Sequence, residues 1–449
     1  MNIFFVSLGC DKNLVDSEVM LGIFHDKGYS FTDDEYEADV IVINTCGFIN
    51  DAKEESINTI IEMAQLKLSA GNGGKCRSLI VTGCLAQRYF EEIKQELPEV
   101  DGIVGTTAYD KIVSVVERTL AGEFVCEIDS LDKRVAVDTS RIITTGGYYS
   151  YLKIAEGCNK NCTYCIIPKL RGKYSSVPMD KLIEEAKFLA DSGVRELILV
   201  AQETTLYGVD IYGKKSLPKL LHSLCEIEGL HWIRLLYCYP EEITDELIET
   251  IRTEKKICNY IDMPIQHCSD EVLKRMGRRT NRKDLELCIS KLRERIPDVT
   301  IRTTIISGFP GETEASHKEL LEFVDTVEFD RLGVFTYSAE ENTKAAEMDN
   351  QVQENVKEAR RDEIMSLQQE IAYEHAQNMV GTVLEAMIEG KLVEEDVYAA
   401  RTFMDAPAVD GLVFVKSKRE HMSGDFVNVR IVAAKGYDLI GEIIDEFAE

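Results

Sequence analysis

Three cysteines, Cys158, Cys162 and Cys165, lie four and then three positions apart in EGCNKNCTYCIIPKLRG, directly after YLKIA, an apolar run that reads as a strand. A cubic four-iron cluster needs four terminal ligands, so three thiolates leave one iron open for a substrate or cofactor. A cluster that only transfers electrons normally closes that position with a fourth cysteine. Structural zinc would ask for recurring C-x₂-C pairs, and a redox dithiol for a single C-x-x-C. A partial zinc site or coincidental loop thiols is the competing reading, and the position of the thiols just past a strand favours catalysis.

A second set has no local motif. Cys10, Cys46 and Cys84 each close an apolar run, in SLGC, INTC and VTGC. Ligands of an open α/β sheet bind in the crevice at the carboxyl ends of its strands. Three strand-end thiols distant in sequence can therefore converge there, as a second three-thiolate cluster site with an open iron. Burial as a small apolar residue would explain any one of them, but not their shared position. Cys76, Cys126, Cys225, Cys238, Cys258, Cys268 and Cys288 share neither spacing nor position and read as structural thiols.

The elements that must hold these residues follow from the apolar pattern. NIFFVSLGC, ADVIVINTCGF and RSLIVTGCLAQR alternate with helical stretches and predict a parallel-sheet α/β domain over residues 1–122. Residues 123–147 lose that rhythm and read as a linker. Over 148–350, six strand-like runs from YLKIAEG to RLGVFTYSAE are each followed by a helical stretch, which predicts a partial (β/α)6 barrel with function at the carboxyl ends of its strands. A polar connecting helix over 351–380 precedes short strands over 381–449 that predict a small antiparallel β-barrel.

Composition narrows the function. With 51 Lys or Arg against 79 Asp or Glu, the net charge of −28 works against broad adhesion to nucleic acid or anionic lipid. The amino terminus lacks a cationic lead and a long apolar run, no run approaches membrane-spanning length, and the thirteen cysteines are an odd count, so a cytoplasmic protein with reduced thiols is expected. Among the histidines only His267 sits at a barrel strand end, and RMGRRTNR, Arg275 to Arg282, reads as a solvated turn.

GCNKNCTYC is similar to the C-x₃-C-x₂-C signature of radical S-adenosylmethionine (SAM) enzymes, and the strand-end cysteines match their methylthiotransferase branch. Through SLGCDKNLVDSE, YLKIAEGCNKNC, IDMPIQH, GFPGET, GVFTYSAEENT and ARTFMDAPAVDGLVFV, the whole chain resembles the ribosomal protein aspartate methylthiotransferases, whose last domain is a TRAM-like barrel. The resemblance implies two [4Fe-4S] clusters. One, at Cys158, Cys162 and Cys165, binds SAM and cleaves it to a radical; the other, at Cys10, Cys46 and Cys84, carries the sulfur. It implies SAM both as methyl donor and as radical source, with a methylthio group placed on the β-carbon of one aspartate in the twelfth small-subunit ribosomal protein, free or in the ribosome. An electron donor and a sulfur source are further implied partners. Tyr164 resembles the family's aromatic near the adenine, with a packing aromatic beside the cluster as the alternative. Gln202, Glu203 and Arg234 are expected at the SAM amino and carboxylate groups, with a structural polar layer as the alternative. GFPGET is expected either near the adenosyl group or as a plain turn, since it lacks the Lys-Ser/Thr of a phosphate loop.

A tRNA adenosine methylthiotransferase is the nearest alternative, and a non-enzymatic iron–sulfur carrier or scaffold is an alternative of another class. Residues 382–449 hold 7 Lys or Arg against 14 Asp or Glu, which suits a basic protein better than RNA. Glu394, Glu395 and Asp396 are expected to face that partner, and tRNA is not expected to bind.

Overall fold

The computed structural model describes residues 1–133, 141–392 and 396–444. Residues 134–140, inside the stretch read as a linker, and Glu394 and Glu395 lie outside the described residues. Packing divides the chain into two units. One comprises Met1–Thr144, Ala155–Ser175 and Ser338–Ala346; the other comprises Thr145–Ile154, Ser176–Tyr337 and Glu347–Glu449.

The first unit is built on a parallel sheet of β1 (Asn2–Ser7), β2 (Ser30–Phe31), β3 (Val40–Thr45), β4 (Ser78–Gly83), β5 (Gly102–Val104) and β6 (Val125–Glu127), in the order β2-β1-β3-β4-β5-β6. Every residue of β3 and β4 is buried, as the unbroken runs VIVINT and SLIVTG require of central strands covered on both faces. The first crossover, through α1 (Asp11–Asp26), leads outward to β2; the next strand, β3, returns to the other side of β1. The order therefore reverses between β1 and β3, where such sheets open a crevice at their carboxyl ends. After β3 comes α2 (Asn50–Ala64), and β4 leads directly into α3 (Cys84–Arg88). The sixth strand lies inside the stretch 123–147, too short to announce itself by alternation.

In the second unit, β7 (Tyr149–Lys153) begins a parallel sheet. Residues Ala155–Glu156 (β8) and Ser175–Ser176 (β9) pair as a separate small ribbon that brackets the cysteine loop, a segment that belongs to the first unit through Ser175. The sheet continues through β10 (Glu196–Val200), β11 (Trp232–Leu235), β12 (Ile257–Asp262), β13 (Thr300–Ser307) and β14 (Arg331–Thr336), each strand beside its predecessor. This is the open (β/α)6 arrangement the pattern implied. A helix over Glu354–Asn378 leads to β15 (Val383–Lys391), β16 (Val397–Thr402), β17 (Val413–Lys416), β18 (Phe426–Lys435) and β19 (Asp438–Ile443), a closed five-stranded barrel filled by residues such as Ile388, Val413, Val429 and Ile431.

Candidate active site

Cys10, Cys46 and Cys84 follow the carboxyl ends of β1, β3 and β4, three adjacent strands of the first sheet. Convergence is enforced by the backbone. Gly9 has φ +90°, and a Cβ there would stand 2.7 Å from Cys46 Cβ, so only glycine lets the two strand ends approach this closely. Cys10 stands at the amino end of α1, as its N-cap residue. The backbone N–H of Cys46 donates to Ser56 Oγ at 3.1 Å, and Ser56 Oγ donates to the Cys46 carbonyl at 3.0 Å, which anchors α2 to this strand end.

Asn13 locks the crevice. Its Nδ2 donates to the carbonyls of Leu8 and Thr45, at 3.0 Å each, while Asn44 Nδ2 donates to the Asn13 carbonyl and to Ser17 Oγ, at 2.9 Å each. With its amide fixed in this way, Asn13 turns Oδ1 toward Arg171 Nη2. Burial pushes the Cys84 thiol up to about 12 and raises Cys46 above its ordinary value; the Arg171 guanidinium opposes both shifts.

Cys158, Cys162 and Cys165 occupy one loop of the same unit. Cys158 N–H donates to the Gly172 carbonyl at 3.2 Å, closing the loop at its base, and Cys165 N–H donates to the Cys162 carbonyl at 3.1 Å. Cys158 and Cys162 are buried and Cys165 half-buried; burial pushes the Cys165 thiol up to about 12, with smaller contributions from the Cys162 and Cys158 thiols. Residues 338–346 brace this loop. Ala345 N–H donates to the Thr163 carbonyl at 2.9 Å and Lys169 Nζ to the Asn342 carbonyl at 2.8 Å. Glu340, buried, pairs with Arg88 at 2.7 Å and Lys53 at 2.9 Å, tying the same segment to α3 and α2.

The two cysteine groups are neighbours. Cys84 packs against Ile166 and Leu170, one and five positions after Cys165, and accepts a hydrogen bond from Arg171 Nε at 3.3 Å. Among the described residues, no three His, Cys, Asp or Glu side chains could hold a single metal ion. The zinc alternative needs such close convergence, with sulfurs ~2.3 Å from one ion, whereas a cube spreads its three thiolates over three irons. Three sulfurs per group, a fourth corner without a cysteine and apolar walls fit open four-iron clusters.

The remaining expected site residues are placed as follows. Tyr164 is half-buried within the cysteine loop. Gln202 and Glu203 lie just past β10; Glu203 is buried and its Oε1 accepts from Thr205 N–H at 3.0 Å and from Thr205 Oγ1, so it shapes its own turn. Arg234 is fully buried and engaged. Its Nε donates to Glu196 Oε1 at 2.6 Å, its Nη1 to the Phe403 carbonyl at 2.6 Å, and its guanidinium lies over the Tyr260 ring. Glu196 Oε2 accepts from Arg401 at 2.5 Å. This geometry supports the polar-layer alternative for Arg234: its donors join the parallel sheet to the small barrel. The GFPGET segment is a self-capped turn, because Glu312 Oε2 accepts from Gly308 N–H at 2.7 Å and Phe309 N–H at 3.2 Å. In the basic cluster, Arg275 donates to the Pro310 carbonyl at 2.8 Å and Arg278 to that of Pro264 at 2.9 Å, both structural bonds.

His267 is buried, and its Nδ1 accepts from Ser269 N–H at 2.9 Å. Burial, helped by His317 and Arg360, holds its imidazole down at about 3 instead of 6.5. Between these values, as pH falls, the unfolded chain takes a proton that the folded chain refuses, so stability is whole above pH 6.5 and declines toward pH 3. His267→Gln is expected to flatten that acid slope in denaturant midpoints measured against pH; an unchanged slope would refute the assignment.

Sequence reading passed over Arg171, Asn13, Asp16 and Glu340. The signal was present in quoted motifs: Asn13 and Asp16 stand in SLGCDKNLVDSE, one and two turns beyond Cys10, and Arg171 in CIIPKLRG.

Three family models match the chain: uncharacterized protein family UPF0004 over residues 2–105, the radical SAM superfamily over 152–324 and the TRAM domain over 380–444. A Lachnoclostridium phytofermentans protein named ribosomal protein uS12 methylthiotransferase RimO is 61% identical, the match covering 98% of this chain and 99% of that one. A Clostridioides difficile protein of the same name is 50% identical over the full length of both. The fold is similar to that of a radical SAM methyltransferase, TsrM from Kitasatospora setae, with a TM-score of 0.54 at 13% identity, over 74% of this chain and 72% of that one. Two cysteine triads, three matched domains and full-length identity agree: the chain belongs to the ribosomal protein uS12 methylthiotransferase family of radical SAM enzymes.

Proposed function

We propose that this protein places a methylthio group on the β-carbon of an aspartate in ribosomal protein uS12. In this reading, Cys158, Cys162 and Cys165 hold the cluster that cleaves SAM, and Cys10, Cys46 and Cys84 hold the one that carries sulfur. The observation that carries the reading is the direct contact of Cys84 with Ile166, Leu170 and Arg171, which sets the two triads side by side within one packing unit.

When bound, SAM and the clusters supply hydrogen abstraction from an unactivated carbon, the sulfur and the methyl group, chemistry beyond side-chain acids and bases. The chain's own part is to hold and to exclude. Gly9 and the clamped Asn13 draw the strand ends together, the bonded pair Cys158 and Gly172 closes the loop, and Ile166 with Leu170 keeps water from the space beside Cys84. Tyr164, Gln202 and Glu203 are the proposed SAM contacts. An electron donor and a sulfur source complete the partners, and the cytoplasm, where ribosomes are assembled, is the proposed setting. No described helix is long and apolar enough to cross a membrane.

The substrate must lie against many RNA phosphates and is therefore basic. The acidic balance of residues 382–449 complements it, speeding encounter and fixing orientation more than adding affinity. The test is mass spectrometry of uS12 and of tRNA after incubation with reconstituted enzyme, reductant, sulfide and SAM. A methylthio mass gain on uS12 alone is expected. Gain on tRNA alone would transfer the assignment to the tRNA adenosine branch, and absence of SAM cleavage would favour the carrier or scaffold.

A further inference from the structure

Arg171 is the side chain through which the Cys158 loop touches the other triad. It stands six positions after Cys165, its side chain is 2% exposed, and its donors are directed into the β1–β3–β4 crevice. Nε points at Cys84 Sγ (3.3 Å), Nη1 at Asp16 (2.5 Å) and at Glu156 (3.2 Å), and Nη2 at Asn13 Oδ1. Asp16 is itself buried on α1, and Glu156 belongs to the ribbon at the base of the cysteine loop. A guanidinium held in a rigid fork by such partners cannot rotate away, and its Nε–H has the cysteine sulfur as its acceptor.

We infer that Arg171 is a positioning residue that donates an N–H···S hydrogen bond to Cys84 and thereby raises the reduction potential of the cluster held by Cys10, Cys46 and Cys84, while fixing that cluster in register with the Cys158 loop. Hydrogen bonds to cluster sulfurs and nearby positive charge both stabilise the more negative, reduced state.

The inference rests on the two-cluster reading, and its test does not use turnover. Protein carrying Cys158→Ala, Cys162→Ala and Cys165→Ala retains only the strand-end cluster, whose midpoint is read by an EPR-monitored redox titration. Arg171→Gln in that background is expected to keep iron and shift the midpoint to more negative potential, with partial rescue by Arg171→Lys. Arg171→Gln with Asp16→Asn removes opposite charges together and leaves the buried net charge unchanged. A smaller negative shift, from loss of the hydrogen bond alone, is expected there; an unchanged midpoint in either iron-loaded variant overturns the inference. Should neither variant hold iron, the parent triple-alanine protein labelled with ¹⁵N-arginine decides: a guanidinium nitrogen coupling to the reduced cluster supports the bond, and its absence overturns it. If that parent binds no cluster at all, the two-cluster reading itself fails.

Discussion

Cys158→Ala is expected to abolish deoxyadenosine formation from SAM, whereas Cys46→Ala is expected to leave SAM cleavage measurable and to stop sulfur insertion. In the proposed assignment each triad supplies all the protein thiolates of its own cluster, so losing one ligand of three removes one site and spares the other. Anaerobically reconstituted wild type should carry about eight irons per chain, two cubes of four, and alanine replacement of either full triad should remove about half. Iron analysis, EPR and chromatographic detection of deoxyadenosine read the three outcomes separately. Adjacency sharpens the case: because Cys84 packs on Ile166 and Leu170, a Cys46 variant must be checked for an intact EPR signal from the Cys158 loop before its activity is interpreted. Loss of SAM cleavage equal to that of Cys158→Ala, with that signal intact, would contradict the division of labour. A wild-type total of four irons would sink the two-cluster reading.

Replacing Glu196 by alanine is expected to be the most destabilising change outside the cysteine sites. Glu196 has 0% side-chain exposure and bridges Arg234 at 2.6 Å and Arg401 at 2.5 Å, themselves 0% and 1% exposed. Removing the shared carboxylate leaves two guanidinium groups in a dry interior, a loss of roughly 3–5 kcal/mol for a broken buried pair. Arg401 keeps Glu389, at 2.5 Å, and the Asp405 carbonyl, at 2.8 Å, so the larger part of the loss falls on Arg234. Trp232, the chain's one tryptophan, lies two residues before Arg234 and packs edge-on to Phe426, so its fluorescence reports denaturation at this junction. Arg234→Ala should destabilise comparably while leaving SAM affinity unchanged. Weakened SAM binding at unchanged stability would return Arg234 to the cofactor site.

The positions of the six candidate cluster cysteines were legible because each follows a strand run or shares one loop. Cys158, Cys162 and Cys165 share one loop, and Cys10, Cys46 and Cys84 each follow an apolar strand run, unbroken for Cys46 and Cys84 because β3 and β4 are buried on both faces. The six β/α units were legible for the same reason, since each strand lies beside its predecessor. Strand β2, of two residues, and β6, of three, carry too few positions for any period to appear; their pairing comes from β1 and β5. Arg234 occupies the strand that was expected to meet SAM, but the direction of its side chain was set by Glu196 and by residues 401–403 of a different domain, partners that no window around position 234 contains. Arg171 stood in the first stretch that attracted notice, yet its bonds reach Asn13 and Asp16, 158 and 155 positions away, and Glu340 closes on Lys53 across 287 positions. Ligand identity is a property of residue type and spacing and is therefore written in sequence; the partner of a buried charge is fixed by whichever distant side chain the packed core brings within hydrogen-bonding distance, because a charge without such a partner would be too costly to bury.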